Sequence, residues 1–202
     1  ICVFPEWVAT AQAYFEKHNL RIPIATVTNF PDGSTNIERA AAETERAIAA
    51  GAHEIDVVLP YRALLNGDES TPAELVRECK DICGDEVTLK VIIESGELKT
   101  QDAIVAASEI AIANGADFIK TSTGKIETNA TLSAAQTMLG VIKASGSDCG
   151  FKAAGGIRTV EEAMQYINLA EEILGKDWVT PEHFRIGASS LLKDVQSILD
   201  NR

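Results

Sequence analysis

Apolar residues in this chain gather into short unbroken runs, and between the runs they recur at helical spacing. The runs cover residues 21–30, 54–59, 88–94, 117–121, 150–153 and 183–187. Isoleucine, valine and threonine dominate most of them, which predicts strands. Positions three and four apart predict helices over 6–19, 71–83, 101–114, 132–144, 160–174 and 190–199. A further helix is expected to open at a Ser34 or Thr35 cap and to run to about residue 50. Pro31-Asp32-Gly33 stops the first run, and Gly51-Ala52 and Gly115-Ala116 lead into later ones.

Strand and helix therefore alternate. The strands are continuous apolar runs rather than alternating ones, so both faces are buried and the sheet is parallel. That leaves a closed (βα)8 TIM barrel or an open doubly wound sheet. No Gly-x-Gly-x-x-Gly follows an early strand, so a dinucleotide fold has no support. Polar residues end nearly every run: Thr28-Asn29, Asp56, Glu94, Lys120, Lys152 and Gly187. A barrel gathers all those ends on one rim, around one site. The reading is an α/β protein with a (βα)8 barrel, one domain over residues 1–202.

The unit count is short of eight. Six complete strand–helix units follow a partial strand, Ile-Cys-Val-Phe-Pro, with its helix. The first strand–helix unit and part of the second strand are expected to be missing from this chain. Its 202 residues also fall below the roughly 250 of typical barrels.

Composition narrows the partners. The net charge is -12 with no basic cluster. Nucleic acid is not expected, because it is bound by displacing counterions with lysine and arginine. Anionic membrane surfaces are not expected either, and no apolar run reaches the length of a span. Cys2, Cys79, Cys83 and Cys149 fit no zinc module. They are read as reduced and the protein as cytoplasmic. His18, His53 and His183 are scattered, so no metal is expected.

The candidate chemistry lies at the strand ends. Lys120 closes the strand in Ala116-Asp-Phe-Ile-Lys-Thr-Ser-Thr-Gly-Lys, and Lys152 closes the next in Gly150-Phe-Lys-Ala-Ala-Gly-Gly. Burial disfavours an ammonium group, and two ammonium groups on one rim repel. Either effect frees an amine that a carbonyl can capture as an iminium ion, an electron sink for breaking or forming a carbon–carbon bond. A solvent-facing Lys120 is the plain alternative. Asp56, amid β-branched neighbours, needs a cationic partner and could relay protons with a lysine across the barrel. Lys90 and Glu94 share a run at even spacing, so one face should carry both into the same network. Residue properties alone leave open which lysine forms the iminium.

A phosphate site is the second signal. Gly155-Gly156 and Gly187-Ala188-Ser189-Ser190 each follow a late strand and open a helix. Glycines let backbone N–H groups turn inward, helix N-termini add positive potential, and hydroxyls add donors. Barrels commonly hold phosphate with the loops after strands seven and eight. A small phosphorylated carbonyl compound is therefore the expected substrate.

These motifs resemble a known family. Ile24-Ala-Thr-Val-Thr-Asn-Phe-Pro, Glu54-Ile-Asp-Val-Val-Leu-Pro-Tyr-Arg-Ala-Leu, Leu89-Lys-Val-Ile-Ile-Glu-Ser-Gly-Glu-Leu, the Lys120 and Lys152 motifs, and Arg185-Ile-Gly-Ala-Ser-Ser are similar to deoxyribose-phosphate aldolases, nearest the enterobacterial type. The resemblance implies a class I aldolase that reversibly cleaves 2-deoxy-D-ribose 5-phosphate to D-glyceraldehyde 3-phosphate and acetaldehyde, with no cofactor. It places the Schiff-base role on Lys120, the pKa-lowering role on Lys152 and proton relay on Asp56. Substrate and phosphate contacts fall on Thr121, Lys125, Gly155, Gly156, Gly187, Ser189 and Ser190. It allows a homodimer. Ala153 stands where many relatives have proline, and the C-terminal tail that ends in tyrosine in similar enzymes is not seen before Arg202. Cys2, Thr26 and Asn29 are expected to approach the site from early strand ends. The competing readings are another Schiff-base barrel aldolase or transaldolase, and an inactive phosphosugar-binding fragment.

Overall fold

The computed structural model describes residues 1–200. Seven strands lie side by side in chain order, every pair parallel: β1 (Cys2–Val3), β2 (Ala25–Thr28), β3 (Glu54–Val58), β4 (Thr88–Ile92), β5 (Phe118–Lys120), β6 (Gly150–Ala154) and β7 (Phe184–Gly187). Strand order never reverses, so there is no switch point of the doubly wound kind. The sheet is curled: Arg185 on β7 reaches across its concave side to Glu54 on β3, at 3.3 Å.

Helices cover the convex side: α1 (Val8–Lys17), α2 (Ile37–Ala49), α3 (Tyr61–Leu65), α4 (Ser70–Cys83), α5 (Ser95–Leu98), α6 (Gln101–Ala113), α7 (Leu132–Ser145), α8 (Val160–Leu174) and α9 (Leu191–Asp200). The apolar stripes of α2, α4, α6, α7 and α8 bury against the strands, whereas α9 has no buried residue. On α2 the buried positions are Ala40, Thr44 and Ala47, four and three apart, which is one face of a helix. The core joins Ile55, Val57, Leu89, Val91, Ile119 and Phe151 of the strands to Leu75, Ala107, Met138 and Ala170 of the helices. Burying one such large apolar side chain contributes about 1.5–3 kcal/mol.

Helix starts are set by side chains. Thr100, Thr131 and Thr159 accept N–H bonds from the first turns of α6, α7 and α8, and Thr159 forms a full capping box with Glu162. Each such cap is worth about 1 kcal/mol. For α2 the cap is Asn36, through the Arg39 N–H, and not Ser34 or Thr35; the Ser34 hydroxyl instead accepts the Asn36 N–H. The strand expected over 21–30 pairs only at Ala25–Thr28. Pro23 has no N–H to give a ladder, and Asn29 turns left-handed at φ 51°. The helix expected from residue 6 is a 3-10 turn at Pro5–Trp7 before α1 begins at Val8. The short α3 and α5 follow strand ends and have too few turns to show a helical period.

Candidate active site

Period-two geometry aims alternate residues of each strand at the concave side. There the chain places Glu54 and Asp56 on β3, Lys90 on β4, Phe118 and Lys120 on β5, Lys152 on β6 and Arg185 on β7. Parallel register sets their levels: Asp56 is beside Lys90, Lys120 beside Lys152, and Lys152 beside Arg185. Asp56 is therefore the middle residue of its strand rather than its end. Gly150 leaves room for the Phe118 ring, since a Cβ there would lie 2.4 Å from it. Arg185 in turn stacks over Phe118, 5.3 Å from the ring centroid.

The charged groups converge on Asp56, which is fully buried. Lys120 Nζ and Lys152 Nζ both donate to its Oδ2 at 2.7 Å. Lys90 Nζ lies 3.0 Å from Oδ1 and 2.6 Å from Glu54 Oε2. Burial pushes the Asp56 pKa up, but the charges of Lys120, Lys152 and Lys90 outweigh it and hold the carboxyl well below the usual carboxylate range. Glu54 follows the same pattern: burial raises its pKa, and Lys90 and Arg185 bring it below the usual value.

The two lysines, Lys120 at the end of β5 and Lys152 in the middle of β6 rather than closing it, diverge. Burial, seconded by the neighbouring Lys152 charge, overcomes the pull of Asp56 and lowers the Lys120 pKa below that of an ordinary lysine. Burial also acts against Lys152, but there the Asp56 charge and hydrogen bond prevail, and its pKa stands raised. One amine is thus disposed to lose its proton while its neighbour keeps one. Such a pair can supply a nucleophile and an acid at once.

Above the lysines opens a cleft of about 750 Å3. Lys120 and Lys152 line it, with Cys2, Lys125, Gly155, Gly156, Gly187, Ser189 and Ser190. Gly155 and Gly156 both adopt φ 88°, a region that side chains rarely enter. A Cβ on Gly155 would lie 2.7 Å from Asn129. Gly187 clears Lys152, whose Cε would be 3.1 Å from a Cβ there. Ser190 directly precedes α9, whereas Gly156 stands four residues ahead of α8. Lys125 Nζ sits over the Phe4 ring, 5.5 Å from its centroid.

Several expected residues lie elsewhere. Thr121 is fully buried and bonds β6 through the Ala154 N–H and C=O, so it ties strands together instead of facing the cleft. Thr26 spends its hydroxyl on the Val3 carbonyl, and Asn29 donates to Ser34 and Val58. Glu94 does not join Lys90. Strand β4 ends at Ile92, and Glu94 turns left-handed at φ 56°, which breaks the period-two alternation and sends its carboxyl to the Thr123 N–H. Sequence reasoning passed over the inward roles of Glu54 and Arg185. For Glu54 the signal was its even offset from Asp56 within a fully buried strand, whereas on β7 only Phe184 is buried and Arg185 carried no such signal. Among the described residues no three His, Cys, Asp or Glu side chains gather as a metal-ligand set.

The solved structures similar to this one include three aldolases. A provisionally assigned deoxyribose-phosphate aldolase from Coccidioides immitis is 28% identical with a TM-score of 0.87, over 98% of this chain and 72% of that one. A provisionally assigned deoxyribose-phosphate aldolase from Toxoplasma gondii ME49, in its apo form, is 26% identical with a TM-score of 0.89, over 100% of this chain and 81% of that one. A tetrameric deoxyribose phosphate aldolase from Aeropyrum pernix is 23% identical with a TM-score of 0.77, over 100% and 77%, and speaks for the fold alone. The sequence profile of the DeoC/LacD aldolases matches residues 1–197. With an amine pair at the floor of a cleft and a profile match over nearly its whole length, this chain belongs to the DeoC/LacD family of aldolases.

Proposed function

We propose that this aldolase reversibly cleaves 2-deoxy-D-ribose 5-phosphate into D-glyceraldehyde 3-phosphate and acetaldehyde, with Lys120 as the Schiff-base nucleophile. The observation that carries the assignment of roles is the shared Asp56 Oδ2, from which Lys120 and Lys152 emerge with pKa values moved in opposite directions.

In the cleavage direction the Lys120 amine adds to the aldehyde carbon of the open-chain sugar. Lys152, held protonated, gives a proton to the departing hydroxyl, and water leaves an iminium ion. The C2–C3 electron pair then flows into the iminium while the C3 hydroxyl gives up its proton, which releases glyceraldehyde 3-phosphate. The enamine left on Lys120 takes a proton at carbon, and water hydrolyses the new iminium to acetaldehyde and free lysine. Asp56 holds both amines within reach of one oxygen, so a proton can pass between them without bulk water. The phosphate is assigned to Gly155, Gly156, Ser189 and Ser190, whose loops border the cleft on the side of α8 and α9.

The proposal includes a closed eight-stranded barrel. The curl of the sheet supports it, as do the apolar residues left exposed beside its two edges, Trp7 and Tyr14 near β1 and Leu192 and Leu199 on α9. One strand–helix unit laid between β7 and β1 would cover them. A reducing compartment such as the cytoplasm is supported by four free cysteines.

Borohydride reduction with acetaldehyde, followed by peptide mapping, tests the assignment. The expected product is a reduced two-carbon adduct on Lys120. An adduct on Lys152 would exchange the two roles, and no adduct on either lysine would remove the Schiff-base mechanism from this cleft.

A further inference from the structure

The turn after β4 holds a carboxyl that packing alone does not explain. Glu94 is fully buried, yet no salt bridge joins it among the described residues. Burial raises its pKa above the usual carboxylate range. Its backbone is left-handed, at φ 56° and ψ 56°, a conformation that costs a residue with a side chain about 1–2 kcal/mol. Strain and an unpaired buried acid persist together only where surrounding structure demands them.

The demand comes from the loop that leaves Lys120. Glu94 Oε1 accepts the Thr123 N–H at 3.1 Å. Beside it the Ile93 N–H bonds the Lys120 carbonyl at 3.0 Å, and the Ser95 N–H bonds the Thr121 carbonyl at 2.9 Å. Gly96 lies so close to the Thr128 carbonyl that a Cβ would stand 1.9 Å from its oxygen. Four consecutive residues thus bracket the loop from Lys120 to Thr128. The two backbone bonds hold its root at Lys120 and Thr121. Of these four residues it is Glu94 whose carboxylate bonds the segment Thr123-Gly124-Lys125, and that segment lines the cleft. Lys125 is then tied to Thr123, its N–H donating to the Thr123 hydroxyl at 3.1 Å.

We propose that Glu94 is a positioning residue for substrate recognition: it sets the Thr123–Lys125 wall of the cleft and so governs how tightly the phosphorylated sugar is held. It acts through the loop and touches neither the amine nor the carbonyl. The inference rests on the aldolase reading above and deepens it, by giving the binding of the sugar phosphate a support separate from the lysine pair.

Kinetics of Glu94→Ala and Glu94→Gln with 2-deoxyribose 5-phosphate test it. E94A should raise KM about tenfold or more with a smaller loss in kcat, the pattern of lost ground-state binding. It should still form the borohydride-trapped acetaldehyde adduct on Lys120. E94Q keeps an oxygen for the Thr123 N–H and should return KM to within about threefold of the parent protein. A parent-like KM in E94A, or an equal loss in E94A and E94Q, overturns the proposal. Absence of the adduct in the parent protein would instead strike the aldolase reading itself. Should E94A fail to fold, hydrogen exchange in the parent protein decides: a Thr123 amide protected about tenfold or more supports the bracket, and an unprotected one overturns it.

Discussion

Lys120 and Lys152 are register partners on adjacent strands, and their amines meet at a single carboxylate oxygen, 2.7 Å from each. Two cations sharing one anion cannot be equivalent in a dry interior. Burial lowers the pKa of Lys120, whereas the pull of Asp56 raises that of Lys152.

Removing the second cation should therefore alter the first. In Lys152→Met, Lys120 loses a repelling neighbour and becomes the main partner of Asp56 Oδ2, so its pKa rises. Iminium formation needs the free amine, and its rate climbs with pH through the Lys120 pKa. Trapping rates measured against pH should show that limb displaced to higher pH in K152M. Turnover near neutrality should fall by roughly 10²–10⁴, the scale of lost acid–base assistance. An undisplaced limb would dissociate Lys152 from the Lys120 amine.

Asp56→Asn should destabilise the fold by about 3–5 kcal/mol, because it leaves buried lysines without their anion. The Asp56 pKa is depressed on folding. Its contribution is therefore complete above the ~3.9 of an unfolded aspartate and is lost as pH falls through the folded value. Denaturant unfolding at a series of pH values should show a constant gap between parent and D56N near neutrality, narrowing in acid.

Gly155→Ala should weaken binding of the phosphorylated substrate while the acetaldehyde adduct persists. The added methyl must enter a left-handed backbone and meet Asn129 at 2.7 Å, a strain of about 1–3 kcal/mol. Binding by calorimetry, set beside borohydride trapping, separates the two effects.

Much of this arrangement was legible in the chain, and the exceptions have identifiable causes. Continuous apolar runs gave the parallel sheet, because both of its faces are covered. Asp56 could be picked out since a charge inside such a run requires a partner, and Lys120 and Lys152 since they fall late in runs that end on one rim. Glu94 could not be placed, because a single left-handed residue cancels the period-two rule that paired it with Lys90. Thr121 lies next to Lys120 in sequence, but alternation turns it toward β6. The Asn36 cap was masked by two equally good capping residues immediately before it. Arg185 stands at the level of Lys152 only through strand register, which no local pattern reveals.

Thiol chemistry should divide the cysteines sharply. Burial pushes the Cys79 thiol up to about 11 and those of Cys83 and Cys149 to about 12, whereas Cys2 is exposed at the cleft. A maleimide at pH 8 should label Cys2 rapidly and the other three only on unfolding, as peptide mapping would show. Saturating sugar phosphate should slow the Cys2 reaction by occupying the cleft.

The lysines and their aspartate stand on strands, held at ladder spacing by backbone hydrogen bonds, whereas Lys125, Gly155, Gly156, Ser189 and Ser190 stand on the connections between strands and helices. On the proposed assignment, nucleophile and recognition would therefore be separable modules. The connections can be lengthened, shortened or exchanged to admit a different aldehyde while the reactive amine keeps its depth and its neighbours. A repertoire of donors and acceptors is open to this scaffold without rebuilding its chemistry.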